Sequence, residues 1–255
     1  MKFNNEFKDS TVLITGGTKG IGKGIAEAFL SEGANVVVCG RNKPDSVANV
    51  LDNKAHFIPC DVRKPHQIEE MSQQILKKYK SIDILINNAG GGPPTEAATT
   101  STKLTELIVN LNYIAPFFVS QIVNDIMQDQ LNGGSIVNIS SVSVIRPSPG
   151  AAVYGGSKAG LSNLTESLAI EWAPKVRVNC ILSGLIETED SIMHYGSKES
   201  INNIANNIPL KRMGLPKDIG NSCLFLSSSL AEYISGSSLL VHGGGERPAY
   251  LKDVQ

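Results

Sequence analysis

The chain has 255 residues, of which 41% are hydrophobic, and its 23 Lys and Arg residues against 24 Asp and Glu residues leave a formal net charge of −1. This length suits one large α/β domain, and the balanced charge, with no basic run longer than "PLKRMG", argues against a nucleic-acid partner. The chain also has no run of eighteen apolar residues, and its start, "MKFNNEFKDS", lacks the features of a signal peptide, so we expect a soluble cytoplasmic protein with no membrane partner.

Short apolar runs rich in Val and Ile alternate along the chain with longer segments of helical period. The runs predict seven strands, at "TVLITG", "ANVVVCG", "AHFIPCD", "IDILINNAG", "GSIVNISS", "VRVNCIL" and "SSLLVHGG". Between them the pattern predicts helices at Ile21–Ser31, Pro65–Tyr79, Lys103–Asp129, Ala152–Trp172 and Pro216–Ser228, and a brief one near Pro44–Leu51. Continuous apolar strands separated by helices are typical of a single doubly wound parallel sheet, a Rossmann-type α/β fold.

No repeat or linker divides the chain, so we expect one domain over residues 1–255. Between the sixth and seventh predicted strands lies a long insertion, residues 183–214, without a clear strand pattern. Insertions of this length are usually functional. We therefore predict that residues 183–214 form a substrate loop.

A glycine-rich turn, "TGGTKGIG", follows the first predicted strand and opens the first helix. Gly16, Gly20 and Gly22 would let the backbone approach a pyrophosphate at the helix N-terminus. The spacing is G-x-x-x-G-x-G rather than G-x-G-x-x-G. A dinucleotide cofactor is the expected ligand.

The end of the second predicted strand favours NADP(H) over NAD(H). An acidic residue there would bind the ribose 2′-hydroxyl of NAD, but the strand ends "VVVCGRN" and offers Arg41. A guanidinium suits a 2′-phosphate, and Lys19 in the glycine turn adds a second positive charge on the same side.

Tyr154 and Lys158 are four residues apart in "AAVYGGSKAG" and would share one face of a helix. An ammonium near a phenol favours the phenolate, which would lower the pKa of Tyr154 and make it usable as an acid or base. The pair alone is a weak signal, because many helices carry such pairs.

The ordered set of motifs resembles the short-chain dehydrogenase/reductase family of the ordinary, roughly 250-residue type. The matching segments are "TGGTKGIG", "CDV", "NNAG", "NYIAPF", "IVNISS", "YGGSK", "RVNCILSGLIET" and "YISGSSLLVHGG". Ser141 also lies thirteen residues before Tyr154, as in the family.

The resemblance implies a catalytic group of Asn112, Ser141, Tyr154 and Lys158. It assigns proton transfer to Tyr154, binding of the substrate oxygen to Ser141, ribose binding and a lower tyrosine pKa to Lys158, and a linking water to Asn112. The cofactor residues that it implies, together with those from the glycine turn and strand end, are Gly16, Thr18, Lys19, Gly20, Ile21, Gly22, Arg41, Asp61, Val62, Asn88, Ala89, Gly90, Tyr154, Lys158, Gly184, Ile186 and Thr188.

Two positions depart from the family pattern. Ser183 stands where proline is common, and His242 stands where an acidic residue is common. We expect the first to loosen the loop over the nicotinamide and the second to alter contacts near a subunit interface.

The cysteines and histidines show no metal-ligand spacing, and no C-x-x-C occurs. We expect no metal and buried, reduced thiols at Cys39, Cys60, Cys180 and Cys223.

Two other functions compete with a dehydrogenase. Ser157 in "GGSKA" is a near miss to the G-x-S-x-G motif of hydrolases, but it falls inside a predicted helix. A non-catalytic nucleotide sensor usually loses the Tyr–Lys pair, which this chain keeps.

Three substrate classes remain open. The family resemblance favours a 3-oxoacyl thioester on coenzyme A or carrier protein, with a hydroxysteroid or cyclic alcohol as the alternative. The segments "VSVIRPSPGAAVY" and "GGGERPAYL" are similar to bacterial steroid-ring-degradation reductases, which act on bicyclic acyl-CoA. In the substrate loop, an apolar set (Leu185, Ile192, Met193, Tyr195) could cover such a substrate, and a basic set (Lys198, Lys211, Arg212) could reach CoA phosphates.

The resemblance and the small residues on the Ala152–Trp172 helix, Gly156 and Gly160 among them, predict a homotetramer with internal two-fold axes.

Overall fold

The computed structural model describes residue 3, residues 5–246 and residue 248. The predicted domain bounds at 1 and 255, and most of the tail from Arg247 onward, including part of "GGGERPAYL", lie outside the described residues.

A seven-stranded parallel sheet forms the centre of the fold, as predicted, in the order β5-β2-β1-β6-β7-β8-β9. Its strands are β1 (Thr11–Thr15), β2 (Asn35–Gly40), β5 (His56–Pro59), β6 (Ile84–Asn87), β7 (Gly134–Ser141), β8 (Val176–Ser183) and β9 (Ser238–Val241). Every residue of β1 is buried, because helices cover both faces of the sheet.

Eight α-helices accompany the sheet in the described part of the chain. They are α1 (Gly20–Ser31), α2 (Pro65–Tyr79), α3 (Thr102–Val109), α4 (Ala115–Asp129), α5 (Ala152–Glu171), α6 (Ser191–Tyr195), α7 (Lys198–Asn207) and α8 (Pro216–Ser227). Alternate residues of β1 point to opposite cores: Val12 and Ile14 pack with α1 and α8, whereas Leu13 packs with α2, α4 and α5. The two hydrophobic layers hold the strand ends, and therefore the site, in place.

The predicted helix near Pro44–Leu51 is wrong. Residues 49–54 instead form a small antiparallel hairpin of β3 (Asn49–Val50) and β4 (Asn53–Lys54). Leu51 and Asp52 between them have φ of 50° and 63°, the left-handed geometry of a tight two-residue hairpin turn. This turn is incompatible with a continuous right-handed helix.

The predicted helix at Lys103–Asp129 exists but is interrupted. A single π-helical turn, Asn110–Ile114, separates α3 from α4. Such π turns widen a helix locally and are frequent at functional sites.

The stretch Thr102–Asp129 is also long and apolar enough, by length and composition, to cross a membrane. It covers one face of the sheet, however, where Val119, Val123 and Met127 of α4 join a buried core. A core helix passes the same test of length and composition, so this finding carries little weight.

Residues 183–214 contain α6 and α7 and have a small apolar cluster of Ile201, Ile208 and Met213, against which Leu185 and Tyr195 pack. A backbone bridge between Ile186 and Gly214 closes the base of this loop.

Candidate active site

A cleft of about 450 Å³ opens at the carboxyl ends of the central strands. It lies where the strand order reverses between β1 and β6, which is where ligands bind in open parallel sheets. Most predicted cofactor residues line it: Gly16, Thr18, Lys19, Gly20, Ile21, Gly22, Arg41, Asp61, Val62, Asn88, Ala89, Gly90, Tyr154, Lys158 and Thr188. Gly184 and Ile186 are not among the lining residues; Gly184 donates its N–H to the Val241 carbonyl at 2.8 Å, and Ile186 is buried at the base of the loop.

Gly16, Gly20 and Gly22 line the cleft at the start of α1, where free backbone N–H groups suit the pyrophosphate of a dinucleotide. A Cβ on Gly22 would lie 2.3 Å from the Gly16 carbonyl oxygen, and Gly16 itself has φ of +63°. The Asn88 side chain donates to the carbonyl oxygens of Thr15 and Gly16, each at 3.0 Å. Asn88 therefore holds the glycine turn in shape, a positioning role that the sequence did not suggest.

Lys19 does not stand free beside Arg41, contrary to the sequence-based expectation. Its ammonium pairs with the carboxylate of Asp190, from the loop after β8. Arg41 remains exposed at the end of β2 and lines the cleft. The ion pair with Asp190 turns the Lys19 side chain toward the loop after β8. No local sequence pattern predicts a contact between residues so far apart in the chain.

Asp61 is engaged by a residue that the sequence analysis missed. The guanidinium of Arg63 donates to both Asp61 carboxylate oxygens, at 2.6 and 2.8 Å. These hydrogen bonds lower the pKa of Asp61 below its ordinary value. The i, i+2 spacing in "CDVRK" is the signal that could have revealed the pair.

Lys158 lines the cleft together with Tyr154. Its Nζ is 5.8 Å from the centroid of the Tyr154 ring and donates to the Ile139 carbonyl oxygen at 2.8 Å. Burial lowers the pKa of Lys158 to about 8. One turn of α5 thus brings the two residues together, as the spacing predicted.

The pKa of Tyr154, in contrast, lies above its ordinary value rather than below it. Burial raises this pKa, and a hydrogen bond with the Ser141 side chain only partly offsets the rise. Tyr195, from α6, raises it further. Desolvation of the phenolate therefore sets the direction of the shift, which is opposite to the one that we expected from the nearby lysine.

Asn112 lies in the π turn and is fully buried. Its side chain donates to the Gly91 and Ile108 carbonyl oxygens, at 2.8 and 2.9 Å, and accepts from the Gly91 N–H at 2.8 Å. A Cβ on Gly90 would lie 2.8 Å from Asn112 Oδ1 and 3.0 Å from Lys158 Nζ. Asn112 and Lys158 therefore meet at Gly90, and a bare glycine leaves them room.

A network of buried polar side chains, which we did not predict from the sequence, connects the elements that carry these residues. Asn87 donates to Ser120 at 2.8 Å and to Asn138 at 2.9 Å, and Asn138 donates to Thr165 at 2.9 Å. The network joins β6, α4, β7 and α5. Polar residues inside the apolar runs "LINNAG" and "IVNISS" were the available signal.

The two departures from the family pattern have distinct surroundings. The Ser183 hydroxyl donates to the Ser140 carbonyl oxygen at 2.9 Å, which ties the end of β8 to β7, and the expected loosening of the following loop stays a prediction. His242 borders a separate cavity of about 230 Å³ together with Leu185 and Ile208.

Ser157 lies inside α5 and donates to the Val153 carbonyl oxygen at 2.8 Å, which is not the strand-to-helix turn of a hydrolase nucleophile. The four cysteines are buried free thiols, as predicted. Over the described residues, no group of three or more His, Cys, Asp or Glu side chains could hold a metal ion.

Comparison with known proteins relates most of the chain to one group of enzymes. A family model described as "Enoyl-(Acyl carrier protein) reductase" matches residues 16–246. The chain is 33% identical over 250 residues to the 3-oxoacyl-[acyl-carrier-protein] reductase FabG of Chlamydia muridarum, covering 94% of this chain and 99% of that protein. It is 34% identical over 243 residues to the human Dehydrogenase/reductase SDR family member 4, covering 92% and 87% respectively.

Among solved structures, the aldohexose dehydrogenase AldT of Thermoplasma acidophilum in ligand-free form superimposes with a TM-score of 0.88. The two chains share 31% sequence identity, and the match covers 95% of each.

Proposed function

Because this chain belongs to the short-chain dehydrogenase/reductase family, we propose that it is an NADP(H)-dependent oxidoreductase that interconverts a carbonyl compound and a secondary alcohol. The observation that carries the proposal is the grouping of four residues: Tyr154 and Lys158 line the cleft, Ser141 hydrogen-bonds to Tyr154, and Asn112 lies beside Lys158 at Gly90. The nicotinamide, when bound, supplies or accepts the hydride.

The chain's own residues handle the proton. In reduction the Tyr154 hydroxyl donates a proton to the substrate oxygen, and in oxidation it accepts one. Ser141 binds the same oxygen and orients Tyr154. Lys158, with a pKa of about 8, is poised to exchange protons near neutral pH, and Asn112 holds the backbone beside it.

The choice of NADP(H) rests on Arg41, which lines the cleft at the end of β2 where an NAD-binding member would carry a carboxylate. Lys19 contributes to the binding of the 2′-phosphate only when its ion pair with Asp190 is broken.

We propose a 3-oxoacyl thioester as the substrate, since the FabG reductase matches the chain over nearly its whole length. Residues 183–214 serve as the substrate loop of a single domain, and Leu185 and Tyr195 provide apolar surface. Of the predicted CoA contacts, Arg212 is paired with Asp218 at 2.6 Å and Lys211 donates to the Asn206 carbonyl oxygen at 2.9 Å, which leaves Lys198 as the exposed candidate.

An aldohexose is the second candidate substrate, favoured by the close superposition on the aldohexose dehydrogenase AldT. Assembly as a homotetramer in the cytoplasm completes the proposal. The tetramer is supported by the exposed small-residue face of α5, with Gly156 at its centre.

The test is a comparison of kcat/KM across cofactors and substrates. We expect NADPH to be preferred to NADH by at least about tenfold, the effect of one charge-assisted contact, and a 3-oxoacyl-CoA to exceed an aldohexose and an uncharged steroid ketone. Arg41→Asp should erase the cofactor preference.

Lys43→Asp is the matched control, because Lys43 is exposed nearby but lines a different cavity. Equal loss of preference in both variants, or a wild-type preference for NADH, would contradict the cofactor assignment. A clearly higher kcat/KM for the hexose or for the steroid ketone would contradict the proposal that the substrate is a thioester.

A further inference from the structure

An acidic segment of the substrate loop lies directly on the start of α1. The backbone N–H of Gly20 donates to Glu189 Oε1 at 2.8 Å, and the ammonium of Lys19 pairs with Asp190. Both contacts join positions about 170 residues apart in the chain: 169 for the first and 171 for the second. The loop after β8 is therefore fastened to the glycine turn by two carboxylates.

Glu189 accepts from the Gly20 N–H, one of the backbone groups at the start of α1 that would be available to a pyrophosphate. The N-terminus of α1 has no acidic residue in its own first turn and no side-chain cap, so Glu189 supplies the negative charge that the free N–H groups favour. A pyrophosphate needs the same N–H groups and carries the same sign of charge. The carboxylate and the pyrophosphate cannot both occupy the start of the helix.

Asp190 competes at a second point. Lys19 is 68% exposed and Asp190 33% exposed, so their ion pair is at the surface and can open. While it is closed, the Lys19 ammonium is directed toward the loop and away from a 2′-phosphate. The hydrogen bond from Lys19 keeps the pKa of Asp190 below its ordinary value, so the carboxylate is ionised at neutral pH.

We propose that Glu189 and Asp190 form a two-part latch that sets cofactor affinity: Glu189 opposes the pyrophosphate of any dinucleotide, and Asp190 opposes the 2′-phosphate of NADP(H) by holding Lys19. The second half rests on the proposed use of NADP(H), and the first half does not. Because α6 begins at Ser191, directly after the latch, cofactor binding also releases the helix that carries Tyr195.

The effects of Glu189 and Asp190 can be distinguished by the equilibrium Kd values for NADH and NADPH, measured by fluorescence or calorimetric titration. Glu189→Gln should tighten both cofactors alike, by about three- to tenfold, as expected for removing one opposing charge at a helix N-terminus. Asp190→Asn should tighten NADPH alone, and this gain should vanish when Lys19→Met is added.

Glu187→Gln is the matched control, because Glu187 is an exposed acidic residue of the same segment and its charge change is identical. Thermal unfolding of each variant checks that the fold is kept. Hydrogen exchange of residues 187–195 in the cofactor-free protein should be faster in the Glu189→Gln variant than in the control, a readout that does not depend on turnover.

Unchanged or weaker cofactor binding by Glu189→Gln, or a gain equal to that of Glu187→Gln, would overturn the Glu189 half. Equal tightening of NADH and NADPH by Asp190→Asn would overturn the Asp190 half. If the wild type prefers NADH while Glu189→Gln still tightens both cofactors, the cofactor assignment fails and the Glu189 half stands.

Discussion

Lys158 is 3% exposed and donates to the Ile139 carbonyl oxygen, beside Asn112. Burying an ammonium costs free energy, and the lowered pKa of Lys158 measures part of that cost. Tyr154 is in a similar position, since burial raises its pKa and so opposes the phenolate. At the scale of single residues, the site holds two groups in unfavourable surroundings, as is common where proton transfer takes place.

Tyr154→Phe tests the proton-transfer role. Removing the hydroxyl should lower kcat by about 10²- to 10⁴-fold, the usual contribution of a general acid or base, while the cofactor Kd changes little. Steady-state kinetics and a cofactor titration measure the two effects. Tyr79→Phe on α2 is the control, and a Tyr154→Phe variant with half of the wild-type turnover would exclude this role.

Lys158→Met should stabilise the cofactor-free protein while abolishing activity. The folded pKa of about 8 lies below the unfolded value of 10.5, so the unfolded state binds more protons between these values and stability rises with pH across this window. Below pH 8 the full cost of burying the charge applies, roughly 3 kcal/mol at most.

Denaturant unfolding at pH 7 and pH 9.5 measures this effect. The variant should exceed the wild type in stability at pH 7 by about 1–3 kcal/mol, and the difference should shrink at the higher pH. If the variant is less stable than the wild type at both pH values, the buried Lys158 does not destabilise the folded protein.

At the scale of secondary-structure elements, the cleft is shaped by the N-termini of α1 and α5 and by the π turn between α3 and α4. The glycine turn places the N-terminus of α1 against the cleft, α5 presents Tyr154 and Lys158, and the π turn before α4 buries Asn112. The polar network of Asn87, Asn138 and Thr165 fastens β6, β7 and α5 to one another. These hydrogen bonds between buried side chains favour one relative position of the three elements.

Gly22→Ala tests the need for bare backbone in the glycine turn. Its Cβ would lie 2.3 Å from the Gly16 carbonyl oxygen and 2.5 Å from Asn88 Nδ2, so the turn must shift. We expect a loss of about 1–3 kcal/mol in stability and a cofactor Kd at least about tenfold weaker.

Denaturant unfolding and cofactor titration check both effects. Glu27→Ala, an exposed position on the same helix, is the control and should leave cofactor affinity unchanged. Cofactor binding by Gly22→Ala equal to that of the control would show that the turn is not the pyrophosphate site.

At the scale of the whole molecule, the side of α5 that faces away from the sheet exposes small residues near its start. Ala152, Gly156 and Ala159 are exposed there, and apart from neighbouring residues and backbone of α5 itself no atom lies within 4 Å of a Cβ built on Gly156; farther along, Ile170 is 81% exposed. Small residues on a helix face allow a second helix to approach closely. This surface is the one on which we expect subunits to pack.

Light scattering should give a mass near four chains of 27.2 kDa each. Gly156→Arg should reduce that mass, because a long charged side chain cannot be accommodated between closely packed helices. Gln74→Arg, exposed on α2, makes the same addition elsewhere and should leave the mass unchanged. A wild-type mass of one chain at micromolar concentration would exclude the tetramer.

The sequence by itself was enough to predict the seven strands, the glycine turn and the approach of Tyr154 to Lys158. These features depend on local pattern: apolar runs fix the buried strands, and one helical turn fixes the spacing of the pair. The ends of parallel strands then meet at one edge of the sheet, so Gly16 and Arg41 could be assigned to one cleft in advance, whereas Asn88 was implied only by the family resemblance.

Only the tertiary structure decided which groups are already engaged and how burial changes their chemistry. The pairing of Lys19 with Asp190 joins positions 171 residues apart, and no local pattern predicts such a contact. The direction of the Tyr154 pKa shift depends mainly on how much solvent the fold removes from the phenol, which the sequence does not reveal. The hairpin at residues 49–54 likewise depends on left-handed geometry at Leu51 and Asp52, and Leu rarely adopts that geometry.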